Sequence, residues 1–213
     1  MIIIDRYKYP RTPHLPFSLG ATDDDKILKS TSHFNDKLVV ITEKMDGENT
    51  TIYNDYYHAR SIDSKHKEYH SYLLANILPV LQYQIPDDYR VCGEYLYAKH
   101  SIAYNDLESY FLAFSIWYKD KCLSWSETVE ISQKWGLKTV PVLYEGIYDE
   151  NKVKEIAANV VKAGGEGIVV RLADSFSIDE FGQSMAKFVR ANHVQTNTHW
   201  TQSKIEQNKL HKK

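Results

Sequence analysis

The apolar run Leu38-Val39-Val40-Ile41-Thr42 ends on Glu43-Lys44-Met45-Asp46-Gly47, and this junction constrains the chain more than any other segment. The run reads as a buried strand. Asp46-Gly47 reads as a tight turn, and Thr50-Thr51-Ile52-Tyr53 as a second strand beyond it. A lysine thus stands where a core strand enters a turn. Lysine is seldom buried unless paired, because desolvating its charge is costly. Such a lysine is a solvated residue on a surface hairpin, a member of an ion pair, or an amine kept as a nucleophile.

Composition narrows the classes. The 213 residues suit one domain, here taken as 1–213 with an arm over about 1–36 and a basic tail over about 191–213. Hydrophobic residues make up 43% and charged residues 25%, as in an ordinary globule. No apolar run is long enough for a membrane helix, and Met1-Ile2-Ile3-Ile4-Asp5-Arg6 is charged too early for a signal peptide. Cys92 and Cys122 make neither a disulfide framework nor a zinc site. A cytoplasmic monomer without membrane contact is expected. The formal net charge is −2, but from Lys187 onward there are six Lys/Arg and only Glu206 as an acid, so the remainder stands at 20 basic against 27 acidic residues. That tail is a phosphate-backbone contact or a frayed terminus.

Along the chain, Pro10, Pro13 and Pro16 break the arm, and Asp23-Asp24-Asp25 form an acidic turn. Strands are predicted at 38–43, 49–54, 56–60, 89–97, 110–118, 138–142, 166–172 and 184–190, with a short partner after Lys119-Asp120-Lys121. The spacing of Tyr69, Tyr72, Leu73, Asn76, Ile77 and Val80 predicts a helix over 67–81. Ser126 is expected to cap a helix through Trp135, and Asp149 one through Lys162. Mixed strands and helices point to an α+β domain of antiparallel sheets around a cleft.

Four further stretches follow the lysine in order: Val91-Cys92-Gly93-Glu94-Tyr95-Leu96-Tyr97, Tyr110 to Trp117, Gly165-Glu166-Gly167-Ile168-Val169-Val170-Arg171, and Met185-Ala186-Lys187-Phe188-Val189-Arg190. This ordered set resembles the signature motifs of the covalent nucleotidyltransferases, the DNA ligases, RNA ligases and capping guanylyltransferases. Glu43-Lys44-Met45-Asp46-Gly47-Glu48-Asn49, His58-Ala59-Arg60-Ser61 and Phe114-Ser115-Ile116-Trp117 are most similar to the RNA-ligase branch.

The resemblance implies an ATP-grasp-like nucleotidyltransferase domain with a nucleotide cleft and flanking helices. It implies an ATP-dependent RNA ligase that joins 5′-phosphate and 3′-hydroxyl ends through lysyl-AMP, with Mg2+ or Mn2+ as metal, RNA as the nucleic-acid partner, and RNA repair as setting. Lys44 is then the nucleophile. Glu43, Asn49, Arg60, Glu94, Phe114, Glu166 and Lys187 bind the nucleotide, and Asp46 and Glu166 attend the metal. On residue type alone, Arg60 could instead pair with Asp63, Glu94 could be a salt-bridged strand residue, and Phe114 could be plain core. The resembling proteins often carry two lysines around the position of Lys187; this chain has Met185 and Val189 there, with Arg190 as a substitute. Lys99-His100 is either a nucleic-acid or triphosphate contact or a solvated loop. Only a short tail follows Arg190, so no oligonucleotide-binding barrel is expected in this sequence. A minimal DNA ligase and an inactive nucleotide- or nucleic-acid-binding module are the alternatives.

A lysine with its ordinary pKa of about 10.4 is almost wholly charged at neutral pH, and bringing it to neutrality takes about 4 kcal/mol of differential interaction. Lys187, Arg60 and a divalent metal are the expected sources, through like-charge repulsion.

Overall fold

A computed structural model describes residues 5–191 and 205–212. Two antiparallel sheets face each other across a cleft. In chain order the elements are β1 (Leu38–Lys44), β2 (Glu48–Ile52), β3 (Tyr57–Ala59), α1 (Leu78–Leu81), β4 (Tyr89–Tyr95), β5 (Phe111–Tyr118), β6 (Lys121–Cys122), α2 (Trp125–Lys134), β7 (Lys138–Thr139), β8 (Val142–Ile147), α3 (Glu150–Lys162), β9 (Gly167–Leu172), β10 (Phe176–Ser177), α4 (Phe181–Ser184) and β11 (Met185–Val189). The first sheet runs β11-β9-β1-β8. The second runs β10-β6-β5-β4-β2-β3, with β7 alongside β5 in parallel. The expected α+β class of antiparallel sheets with flanking helices is the architecture observed.

Strand alternation divides the first sheet into two faces. Val39, Ile41, Ile168, Val170, Ala186 and Phe188 are buried with Val153 and Ala157 of α3. On the other face Thr42, Lys44, Val169, Arg171, Met185 and Lys187 line the cleft. The register explains why these six meet: Thr42 pairs with Val169, which pairs with Lys187, while Arg171 pairs with Met185. One face therefore makes core and the other makes a site.

Several predicted elements differ in detail. The run 138–142 splits at Val140-Pro141 into β7 and β8, which join different sheets. Proline has no N–H to continue a ladder. The edge strand β8 exposes Val142, Leu143 and Ile147 and lacks the inside-outside pattern that marks a strand. The N-cap of α2 is Ser124 and not Ser126: its hydroxyl accepts from Glu127 N while the Glu127 carboxylate accepts from Ser124 N, a reciprocal capping box. Over 67–81 the helix is irregular, with a 3-10 turn at Glu68–His70, a π turn at Leu73–Ile77 and then α1. Pro79 cannot donate to the turn before it, so the preceding ladder widens to the π spacing. This rotates Val80 to solvent and Leu81 into the core.

The arm is structural as well as peripheral. Leu15 and Phe34 are fully buried. Leu15 N donates to Lys187 O (2.8 Å), Lys187 N to Pro13 O (2.9 Å) and Gly20 N to Val189 O (2.8 Å). The arm thereby covers the free edge of β11, which would otherwise present unpaired backbone groups. A Cβ at Gly20 would stand 2.5 Å from Arg190 O, so only glycine permits this approach. Among the described residues, no helix is long and apolar enough to cross a membrane.

Candidate nucleotide site

The cleft encloses about 460 Å³. Its floor carries Lys44, Glu43 and Thr42 from β1. One wall carries Glu94, Asn49 and Phe114, and the other Val169, Arg171, Met185 and Lys187. The rim holds Arg60 and, from the arm, Tyr9, Arg11, Thr12, Asp24 and Asp25.

Lys44 is the last residue of β1, and its side chain is 24% exposed. Its Nζ lies 2.5 Å from Glu166 Oε1. Burial presses its pKa down, but Glu166, Glu94 and Asp46 outweigh that, and the net displacement is upward. The expectation that Lys187 and Arg60 neutralise this amine is therefore corrected: the surrounding carboxylates outweigh burial and keep Lys44 charged. The second lysine moves the other way: burial, then Lys44, lowers Lys187 against the pull of Asp25 and Glu166.

Glu94 is on β4 opposite Asn49 of β2. Its Oε1 accepts from Gly47 N at 3.1 Å. A Cβ on Gly47 would come within 2.6 Å of Tyr95 O, so the glycine lets the turn close onto β4. Burial pushes the Glu94 carboxyl up to about 8, against the nearby Lys44 charge. Asn49 Oδ1 is buried without a hydrogen-bond partner among the described residues. A buried acceptor lining a cleft is what a ligand donor satisfies.

Phe114 owes its position to a β-bulge. Cys92 pairs with Ser115 and Gly93 with Ala113, so Phe114 has no partner on β4. The extra residue turns its ring into the cleft from a strand otherwise buried on both sides. Tyr9 meets the ring edge-on at 5.3 Å. The ring is half-buried: it lines the cleft and also packs against the core on either side.

Asp46 is placed differently from the other expected residues. Its Oδ2 accepts from Ser101 N and Ile102 N, each at 2.7 Å, and it is absent from the cleft lining. Its carboxylate organises a loop. Among the described residues, no group of three or more His, Cys, Asp or Glu is arranged to hold a metal. Lys99 also departs from the reading as a triphosphate contact, since its Nζ pairs with Glu206 at 2.5 Å. Arg60 reaches the cleft rim, where Arg11 and Asp25 act on its charge.

Arg171 is a cleft residue that the sequence reading left without a role. It is 1% exposed, and its guanidinium donates to Leu172 O (3.1 Å), Phe114 O (3.4 Å) and Leu123 O (2.8 Å). It ties β9 to β5 and secures the bulge that carries Phe114. An arginine after four apolar residues of a core strand was the available signal.

The match to known proteins follows this geometry. The RNA ligase family model matches residues 37–189, more than two thirds of the chain. The chain belongs to the RNA ligase family. Solved structures share the fold. A protein of Aquifex aeolicus described as a candidate ATP-dependent DNA ligase is 22% identical at a TM-score of 0.58, over 87% of this chain and 50% of that one. An archaeal ATP-dependent RNA ligase is 16% identical at 0.59, over 85% and 48%. A Naegleria gruberi RNA ligase solved with ATP and Mn is 17% identical at 0.53, over 75% and 52%. The chain spans about half the length of these ligases. No curated protein matches it.

Proposed function

We propose that this chain is an ATP-dependent RNA ligase domain, one nucleotidyltransferase unit that forms lysyl-AMP on Lys44 and uses it to seal RNA. The observation that carries the reading is the Lys44 amine at the floor of a 460 Å³ cleft, paired with Glu166, with Glu94 on one side, Lys187 on the other and the Phe114 ring turned in from the bulge.

A nucleoside triphosphate suits this lining. Phe114 offers a face to the base, with Trp125, Val140 and Val169 as apolar neighbours. Glu94 accepts from the ribose hydroxyls. Lys187, Arg60 and the side-chain amide N–H of Asn49 take the phosphates, and Asn49 Oδ1 accepts from a ligand hydroxyl. Glu166 would stand beside a divalent metal brought in with the phosphates, which would supply charge neutralisation at the α-phosphate.

The chemistry balances as follows. Lys44 Nζ gives a proton to the Glu166 carboxylate and attacks the α-phosphorus. A phosphorus–nitrogen bond forms, the bridge to the β-phosphate breaks, and pyrophosphate leaves. A 5′-phosphate oxygen then displaces the lysine to form an adenylated end. A 3′-hydroxyl attacks that end, AMP leaves, and a phosphodiester results. The carboxylates around Lys44 keep it charged, so transfer of its proton to Glu166 is the step that activates the nucleophile.

Family membership and similarity to the RNA-ligase motifs support RNA as the preferred nucleic acid. The test has two arms. Purified protein is incubated with α-labelled ATP and Mg2+ or Mn2+ and separated under denaturing conditions, and an acid-labile label on the chain is expected. Matched RNA, DNA and hybrid nicks and single strands are then offered, with sealing of RNA 3′-hydroxyl ends expected. Absence of the label under both metals overturns the ligase reading in favour of a binding module, and sealing confined to DNA makes the protein a DNA ligase.

A further inference from the structure

The segment Ile205–Lys212 is docked against the loop that follows β4, far along the chain from the nucleophile. Asn208 is 2% exposed, and all its polar groups are engaged. Its Oδ1 accepts from Tyr104 N (2.9 Å), and its Nδ2 donates to Leu96 O (2.8 Å). Its backbone N donates to Tyr97 O (3.0 Å), and its carbonyl accepts from Tyr110 OH (2.8 Å). Lys209 N donates to Tyr104 O (2.9 Å). Both backbone groups of Tyr104 are therefore held by this segment.

The phenol of Tyr104 points at the nucleophile turn. Its oxygen accepts from Asp46 N at 2.9 Å, and Asp46 in turn receives Ser101 N and Ile102 N on its carboxylate. The bonds run from Asn208 through Tyr104 to Asp46 and back into the same loop. Asp46 stands two residues after Lys44. We infer that Asn208 and Tyr104 are positioning residues for the nucleophile: the segment 205–212 fixes the Tyr104 loop, and that loop fixes the turn that aims Lys44 at the α-phosphate.

The physical argument is one of pre-organisation. A near-attack geometry tolerates little displacement, and about 1 Å of misplacement costs on the order of 100-fold in rate. Beyond the strand end, the turn is held on the β4 side by Gly47 N, which donates to Glu94 Oε1. Two hydrogen bonds to the Asp46 carboxylate and one from its N–H to Tyr104 hold it on the other side before substrate arrives. The competing role for the segment is packing, since Ile205 and Leu210 lie against the main core.

This inference rests on the ligase reading, and one variant separates the two. Tyr104→Phe keeps the ring and deletes only the acceptor for Asp46 N. It is compared with wild type in single-turnover labelling by α-labelled ATP, with the melting temperature measured in parallel. The expected result is a fall of about tenfold or more in the rate of adenylylation at saturating ATP, a KM for ATP within about twofold of wild type, and little change in melting temperature. Lys134→Ala, which removes only the exposed pair with Glu130 on α2, is the control and keeps the wild-type rate. Labelling of Tyr104→Phe at the wild-type rate overturns the proposal. So does a rate deficit that vanishes well below the variant's melting temperature, because packing then explains it. Failure of the wild type itself to label rejects the ligase reading.

Discussion

Lys44 Nζ lies 2.5 Å from Glu166 Oε1, a pairing between the end of β1 and the residue just before β9. Lys44 sits opposite Gly167 in the register, so its neighbour Glu166 comes beside the amine without any loop having to fold over it. A Cβ at Gly167 would stand 1.9 Å from Phe188 O, which leaves glycine as the residue that lets β11 close here.

Lys44→Ala is expected to abolish covalent labelling while the melting temperature stays near wild type. Lys44→Arg fails too, because a guanidinium keeps its proton. Glu166→Gln removes the largest upward influence on Lys44 and leaves burial opposed by Glu94 and Asp46 alone, so its pKa falls relative to wild type. The rate is lower, but its rise with pH is expected to begin at lower pH than in wild type. A pH–rate profile of the single-turnover step checks this, and an unmoved rising limb shows that Glu166 does not govern the amine.

Phe114→Ala removes the ring that the bulge turns into the cleft. A loss of about 1–3 kcal/mol in ATP binding is expected, comparable to losing one stacked base. The folded chain persists, because Arg171 bonds to the Phe114 carbonyl and not to its ring. ATP is expected to be preferred over GTP. Equal labelling by the two nucleotides sinks the stacking assignment.

Glu94 carries a pH signature in stability. Its folded pKa, raised by burial to about 8, exceeds that of an unfolded glutamate. The folded chain therefore binds more protons across that window, and stability falls as pH rises towards 8. Glu94→Gln removes this dependence, so its melting temperature relative to wild type is expected to rise between pH 5 and pH 9. Its requirement for ATP rises at the same time. Parallel melting curves across pH for the two proteins contradict the buried-carboxyl account.

His14 has the opposite sign. It is 1% exposed, shares a 2.7 Å hydrogen bond with Ser18 Oγ, and lies 3.5 Å from Asp25. Burial, then Lys187, lowers its pKa to about 4, below its unfolded value. Its contribution is present above about pH 6.5 and is lost as pH falls through 4. Because the arm at His14 runs beside Lys187, acid is expected to loosen the cleft rim. His14→Gln should narrow the difference in melting temperature between pH 7 and pH 4.5, as scanning calorimetry measures directly.

The basic tail illustrates what could not be read in advance. Lys204 and Lys213, two of the six basic residues from Lys187 onward, lie outside the described residues. Within 205–212 the segment is docked and Asn208 is buried, a contact that depends on a loop about 100 residues earlier. Deletion of that segment is therefore expected to impair both adenylylation and sealing, not sealing alone. Charge composition could not reveal this, because the binding is made by an amide and backbone groups.

The sequence by itself determined the elements that depend on local pattern: β1 running into the Asp46-Gly47 turn, the Asp149 cap of α3, and the order of Lys44, Glu94, Phe114, Glu166 and Lys187 along the chain. Alternation and capping act over a few residues, so their signal is complete in a short window. Tertiary structure alone decided the charge state of Lys44, since the carboxylates that hold its proton come from β4 and the start of β9. It also decided the aim of Phe114, set by a register shift against β4, the loop-holding role of Asp46, and the inter-sheet bonds of Arg171. Each of these is fixed by which strands become neighbours, and pairing between distant segments leaves no periodic trace in either one.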